Sequence, residues 1–290
     1  MREFTALLIV VVIAAACGSG SGGEPTGPTA PLPQLTVAQY LAEILDLELI
    51  ALETTVDPPR DARLLAGYNL ELANRYRDAL VAIDGFEAPV EATVHITAYR
   101  THAELSRDVF SDAADAWLAG ESIADLQTAL LAVTSRAQDL ATEFERLLLA
   151  TLENAPDPLS AYLMPSIGVR NEFSASYTLT LDLLQPLIAA GDGTAIADAL
   201  VDASSTLRSF LPMWGDLDPP VDATEAHDLQ RDLMVDITDI FTDMAVPVAA
   251  EDEAATQEVA LRMNGFVDDV GAANLIWNRL LAEALRSAAP

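Results

Sequence analysis

Ile123, Leu126, Leu130, Val133, Ala137, Leu140, Phe144 and Leu147 follow one another at steps of three and four residues. That spacing returns a side chain to the same face of an α-helix. Held for over three heptads, it is the pattern of a bundle or coiled-coil seam. Helical spacing dominates from Leu35 onward, and the two-residue alternation of a half-buried strand is nearly absent. Thr36 with Gln39 forms a capping-box pattern that opens a helix to about Thr54, and Asp57-Pro58-Pro59 stops it. A second helix is predicted from about Asp61 to Ile83, with Leu65, Leu72, Tyr76, Leu80 and Ile83 along one side. Asp84-Gly85 breaks the chain, and Pro89 starts a third helix, where its fixed φ suits the first turn. Gly120 ends that helix, and Ser122-Ile123-Ala124-Asp125 opens a fourth.

The same pattern returns further along. At an offset of 133 residues, the seam from Leu126 to Leu147 falls on Val259, Met263, Phe266, Val270, Ala273, Trp277 and Leu280, all apolar. Upstream the offset is 131. Ala88–Thr93 then parallels Pro219–Thr224, and Asp108–Ala114 parallels Asp239–Ala245 without a gap. Leu65, Leu72, Tyr76, Leu80 and Ile83 fall on Ile196, Ala203, Leu207, Leu211 and Trp214. The expected fold is therefore all-α, with two tandem four-helix antiparallel bundle units related by internal duplication. The first unit spans 35–154 and the second 158–288, joined at Asn154-Ala155-Pro156-Asp157-Pro158.

Ahead of these units the pattern changes. Phe4 to Ala16 is apolar except for Thr5. The stretch is too short for a membrane span, which needs ~20 residues, and it suits the apolar region of a secretory signal. Ala14-Ala15-Ala16-Cys17 resembles the lipobox of bacterial lipoproteins, with alanine where the aliphatic residue three before the cysteine usually stands. The resemblance implies that residues 1–16 are a signal peptide. It also implies that Cys17 is lipidated as the first mature residue and that the protein is exported to the outer face of a bacterial membrane. It covers only the first twenty residues or so. Cys17 is the only cysteine, so it has no disulfide partner within the chain. Residues 17–34 are rich in Gly, Ser and Pro and read as a disordered tether reaching roughly 20–25 Å. Gly18 to Gly23 has the spacing of a dinucleotide fingerprint but lacks the strand before it and the helix after it.

Charge narrows the partners. There are 45 acidic residues against 15 basic ones, all arginine, for a formal net charge of −30. Like charge repels nucleic acid and anionic membrane surfaces. Such acidity serves solubility or adaptation to high salt.

Three histidines are the candidate metal ligands. His95 and His102 lie seven residues apart, on one helix face; His227 is on the later copy. None has glutamate three residues before it, and none recurs at the equivalent position of the other copy: His102 falls on Leu233, His95 on Ala226, and His227 on Ile96. The expected role of His102 is a buried polar residue with a local partner, and no metal or other cofactor is expected. No nucleophile elbow and no EF-hand loop occurs. Glu251-Asp252-Glu253 complements the dipole at a helix start. Trp117, Trp214 and Trp277 fall on apolar faces and read as core. The expectation is a non-enzymatic, lipid-anchored envelope protein binding a protein partner or small ligand. The alternative is a metal- or ligand-processing bundle with sites inside its helices.

Overall fold

The computed structural model describes residues 32–54, 62–122, 126–155 and 157–289. The signal-peptide and lipobox residues, Cys17, the tether up to residue 31, the stop at Asp57-Pro58-Pro59, Ile123-Ala124-Asp125 and Pro156 lie outside the described residues.

The described chain is helical, without a named strand. The elements are α1 Val37–Thr54, α2 Ala62–Ile83, α3 Thr93–Ala119, α4 Gln127–Glu153, α5 Pro158–Ala190, α6 Gly193–Arg208, α7 Phe210–Gly215, α8 Thr224–Ala249 and α9 Glu253–Ala288. Short 3₁₀ turns at Val90–Ala92 and Val221–Ala223 lead into α3 and α8. The described residues form two compact units, one of those up to Asn154 together with those from Leu281 onward, the other of those from Ala155 to Leu280.

Local chemistry sets the helix ends. The capping box forms as two reciprocal bonds, Thr36 N–H to Gln39 Oε1 at 2.9 Å and Gln39 N–H to Thr36 Oγ1 at 3.3 Å. Asp157 caps α5 by accepting from the Ser160 amide at 2.9 Å. Gly120 and Gly191 close α3 and α5 at φ 70° and 71°, left-handed positions that favour glycine. Pro89 does not sit inside α3 as expected. It precedes the 3₁₀ turn, and the α-helix proper begins at Thr93. The end of the tether is also held: Leu35 N–H bonds the Glu87 carbonyl at 3.2 Å, and Glu87 N–H bonds the Pro33 carbonyl at 3.0 Å.

In the first unit α2 packs along α3, α3 along α4, and α1 against α4. Ala66, Ala73 and Ala79 on α2 and Ala103, Ala113 and Ala114 on α3 are all buried, and such small side chains suit close packing of two helices. The seam on α4 lies inward, half-buried at Leu126 and Leu130 and fully buried at Val133 and Leu147. Leu281, Ala282, Ala284 and Leu285, on the last turns of α9, are at most 5% exposed and belong to this unit. Arg286 pairs both oxygens of Asp46 on α1 at 2.5 Å.

In the second unit α6 packs along α8 and α5 along α6. Ser204 on α6 donates to the Thr238 carbonyl on α8 at 2.8 Å. A Cβ at Gly193 would stand 2.9 Å from the Val248 carbonyl oxygen, so α6 starts where only glycine fits. The stretch matching α2 is broken here. Pro212 removes the amide that would bond the Arg208 carbonyl, and its ring would crowd that carbonyl. Accordingly α6 ends at Arg208 and α7 begins at Phe210.

Surface ion pairs give a salt expectation. Arg100–Asp84, Arg208–Asp239 and Arg262–Asp243 link neighbouring elements, with side chains about half exposed. Pairs of this kind contribute ~0–1 kcal/mol each. Thirty uncompensated negative charges oppose them. The Debye length falls from ~30 Å at 0.01 M to ~3 Å at 1 M, which relieves that repulsion. The melting temperature is expected to rise across a sodium chloride series between those limits, followed by circular dichroism. A flat or falling series would show that the ion pairs outweigh the repulsion.

Candidate functional site

On α5, Leu163, Ile167, Arg170, Phe173 and Tyr177 share a stripe at helical spacing, with a cation in the middle of it. Arg170 is largely buried. Its Nε donates to Gln230 Oε1 on α8 at 3.2 Å, and one Nη2 hydrogen bonds Asn274 Oδ1 on α9. The guanidinium carbon lies 5.0 Å from the centroid of the Trp277 ring, a cation–π contact. Burial lowers its pKa to about 10, which leaves it charged at neutral pH. Among the described residues no carboxylate lies within ion-pair distance, in a chain where acidic groups outnumber basic ones threefold.

Trp277 leads into an aromatic cluster. Trp214, fully buried, stands 6.2 Å from it. The Trp214 ring stacks on His227 at 5.2 Å and 18°, while its indole N–H donates to the His227 carbonyl at 3.0 Å. The Tyr162 hydroxyl meets His227 Nδ1 at 3.2 Å. Burial lowers the His227 pKa and so favours the neutral ring, which is held among aromatics.

The first unit has a matching pair. The Tyr40 hydroxyl on α1 meets His95 Nδ1 on α3 at 2.5 Å. In each unit, then, a tyrosine in the opening turns of the first helix meets a histidine in the first turn of the helix after the 3₁₀ turn. Linear alignment misses this recurrence, because the histidines differ by one position and the tyrosines by more. Packing against aromatic rings and a hydroxyl constrains the ring's place in space, not its count along the chain.

Further along α3, His102 is 5% exposed against Tyr76 of α2, with centroids 5.8 Å apart. The Val133 backbone on α4 lies near the ring and offsets part of the lowering of its pKa. His102 Nδ1, His95 Nε2 and Ser106 Oγ are buried without a hydrogen-bond partner. Burial lowers the pKa of both His95 and His102 to about 4. Glu143 raises His95 slightly, and Arg136 lowers His102 further. The three histidines are thus each placed in a packed aromatic setting, and no two of them share a ligand position. Among the described residues no group of three or more His, Cys, Asp or Glu is placed to hold a metal ion, and no helix is long and apolar enough to cross a membrane.

Sequence reasoning placed Trp117, Trp214 and Trp277 in the core; Trp214 and Trp277 lie there, whereas Trp117, near the end of α3, is only half-buried, and the reading did not single out Arg170, Gln230 or Asn274. The signal for the first was available: Arg170 is the only charged residue between Asp157 and Glu172, and it interrupts an apolar stripe. No protein-family model, curated protein or solved structure matches the chain.

Proposed function

We propose that this chain is a non-enzymatic binding module held by a lipid on Cys17 at the outer face of a bacterial membrane. The observation that carries this is the order of residues at its start. An apolar run of thirteen leads to Ala14-Ala15-Ala16-Cys17, and a Gly/Ser/Pro stretch follows. A thiol needing no partner, a tether and an acidic surface all suit a protein that reaches outward from a membrane. The Arg170 cluster supports a binding role, because it holds a cation and two amides together over a buried aromatic ring. We also take the two units to be copies of one ancestral unit, on the seam alignment and on the Tyr–His contact found in each.

Cys17→Ser is expected to move the protein from the membrane fraction or block its processing, and to abolish incorporation of labelled fatty acid. A mutant that keeps its membrane association, mobility and acyl label would refute the lipid anchor.

A further inference from the structure

Arg170, Gln230 and Asn274 form a constellation whose polarity is decided by elementary hydrogen-bond inventory. A guanidinium has five N–H donors and no acceptor. Whatever bonds to it must turn an oxygen toward it, and the Gln230 and Asn274 side chains both do so. Each primary amide then has its NH₂ end turned away from the arginine. Among the described residues neither NH₂ group has a hydrogen-bond partner, and neither does Arg170 Nη1. None of these nitrogens is among the fully buried polar atoms without a partner, so each keeps some accessible surface at the edge of a largely buried cluster. The acceptors of the cluster are used internally, and what it offers outward is donors only.

The guanidinium is also held in place. Two bonds from two different helices hold it, and its central carbon lies over the Trp277 ring. A fixed guanidinium with an open edge is prepared for a planar two-oxygen partner, which can accept two parallel N–H bonds. Every cross-helix ion pair described above joins an arginine to a carboxylate, and here the carboxylate is missing.

The geometry points to a binding site for a small organic carboxylate at Arg170, with Gln230 and Asn274 as additional donors and the buried Trp277 beneath the guanidinium as its support. This rests on the binding-module reading and gives that module a ligand class. The overall negative charge of the chain opposes an approaching anion, so the site is best tested near 0.15 M salt, where the Debye length is ~8 Å.

The test titrates the purified full chain with sodium acetate and sodium succinate at constant ionic strength, with sodium chloride as the control. Tryptophan fluorescence and calorimetry provide the readouts, and Trp277→Phe assigns the optical signal. A saturable response at a dissociation constant of about 1 mM is expected from one such contact. Arg170→Gln is expected to weaken it at least tenfold. Asn274→Asp places a carboxylate beside the guanidinium, so it should abolish binding while keeping or raising the melting temperature. That second variant decides the matter even if Arg170→Gln does not fold. No saturable heat or fluorescence change up to about 20 mM acid, an equal response to chloride, or full binding by Asn274→Asp would each overturn the site. Membrane fractionation of the Cys17→Ser protein is a separate measurement, so loss of this site leaves the anchor reading standing, and loss of the anchor leaves the site standing.

Discussion

The chain carrying Leu285→Asp is expected to lose the cooperative unfolding of its first unit, while Leu261→Asp, on the same helix, leaves it unchanged. Leu285 is fully buried and Leu261 is 59% exposed. Truncating a buried leucine costs about 2–5 kcal/mol. An aspartate in that place adds the cost of a buried, unpaired charge, which exceeds the truncation itself. A domain's whole stability is about 5–15 kcal/mol, so the substitution consumes most of it. Surface changes usually stay within about 0.5 kcal/mol. By contrast, Asp46→Asn removes only the exposed pair with Arg286 and should cost ~0–1 kcal/mol. Melting curves of the three variants check the ranking. A Leu285→Asp protein as stable as Leu261→Asp would show that the end of α9 does not belong to the first unit's core.

Mild acid is expected to destabilise the first unit before its carboxylates titrate. His95 and His102 have folded pKa values near 4, below the ordinary 6.5, because burial disfavours the charged ring. Between those values the unfolded chain binds more protons than the folded one, so stability falls as pH drops below about 6.5 and the loss is complete below about 4. At pH 5 the linkage amounts to roughly 2 kcal/mol per ring. Aspartate and glutamate ordinarily titrate near pH 4, so most of their repulsion is still present at pH 5. The melting temperature should therefore drop by roughly 10 °C between pH 7 and pH 5. His102→Leu inserts the residue type found at Leu233, its aligned position, which is itself buried. That variant should lose about half of the acid effect and, with an orphaned ring nitrogen removed, be as stable as the parent or more so at pH 7. A melting temperature that holds steady from pH 7 to pH 5, or an acid response untouched by His102→Leu, would contradict this account.

Much of the helical layout was legible along the chain because its causes are local. Thr36 and Gln39 satisfy each other's backbone amides within one turn. Gly120 adopts the left-handed conformation that ends a helix. The alternating steps from Leu126 to Leu147 can bury one face in no other secondary structure. These devices act over three or four residues, so the sequence alone determined the all-helical class and the ends of helices such as α1, α2 and the close of α3. Pro212 was the local signal left unread, and it splits the helix that would otherwise match α2.

What tertiary structure alone decided lies at long range. Arg170 meets residues 60 and 104 positions away, and Asp46 meets Arg286 across 240. The last turns of α9 were expected in the second unit by alignment, and the structure groups them with the first. The Tyr–His contacts recur in space although the histidines do not align. Periodicity tells which face of a helix seeks cover. It carries no information on which other helix supplies that cover, because any apolar stripe is an acceptable partner for any other. That choice is made by the simultaneous packing of all the helices, and with it are made the donor cluster at Arg170 and the buried rings of His95 and His102.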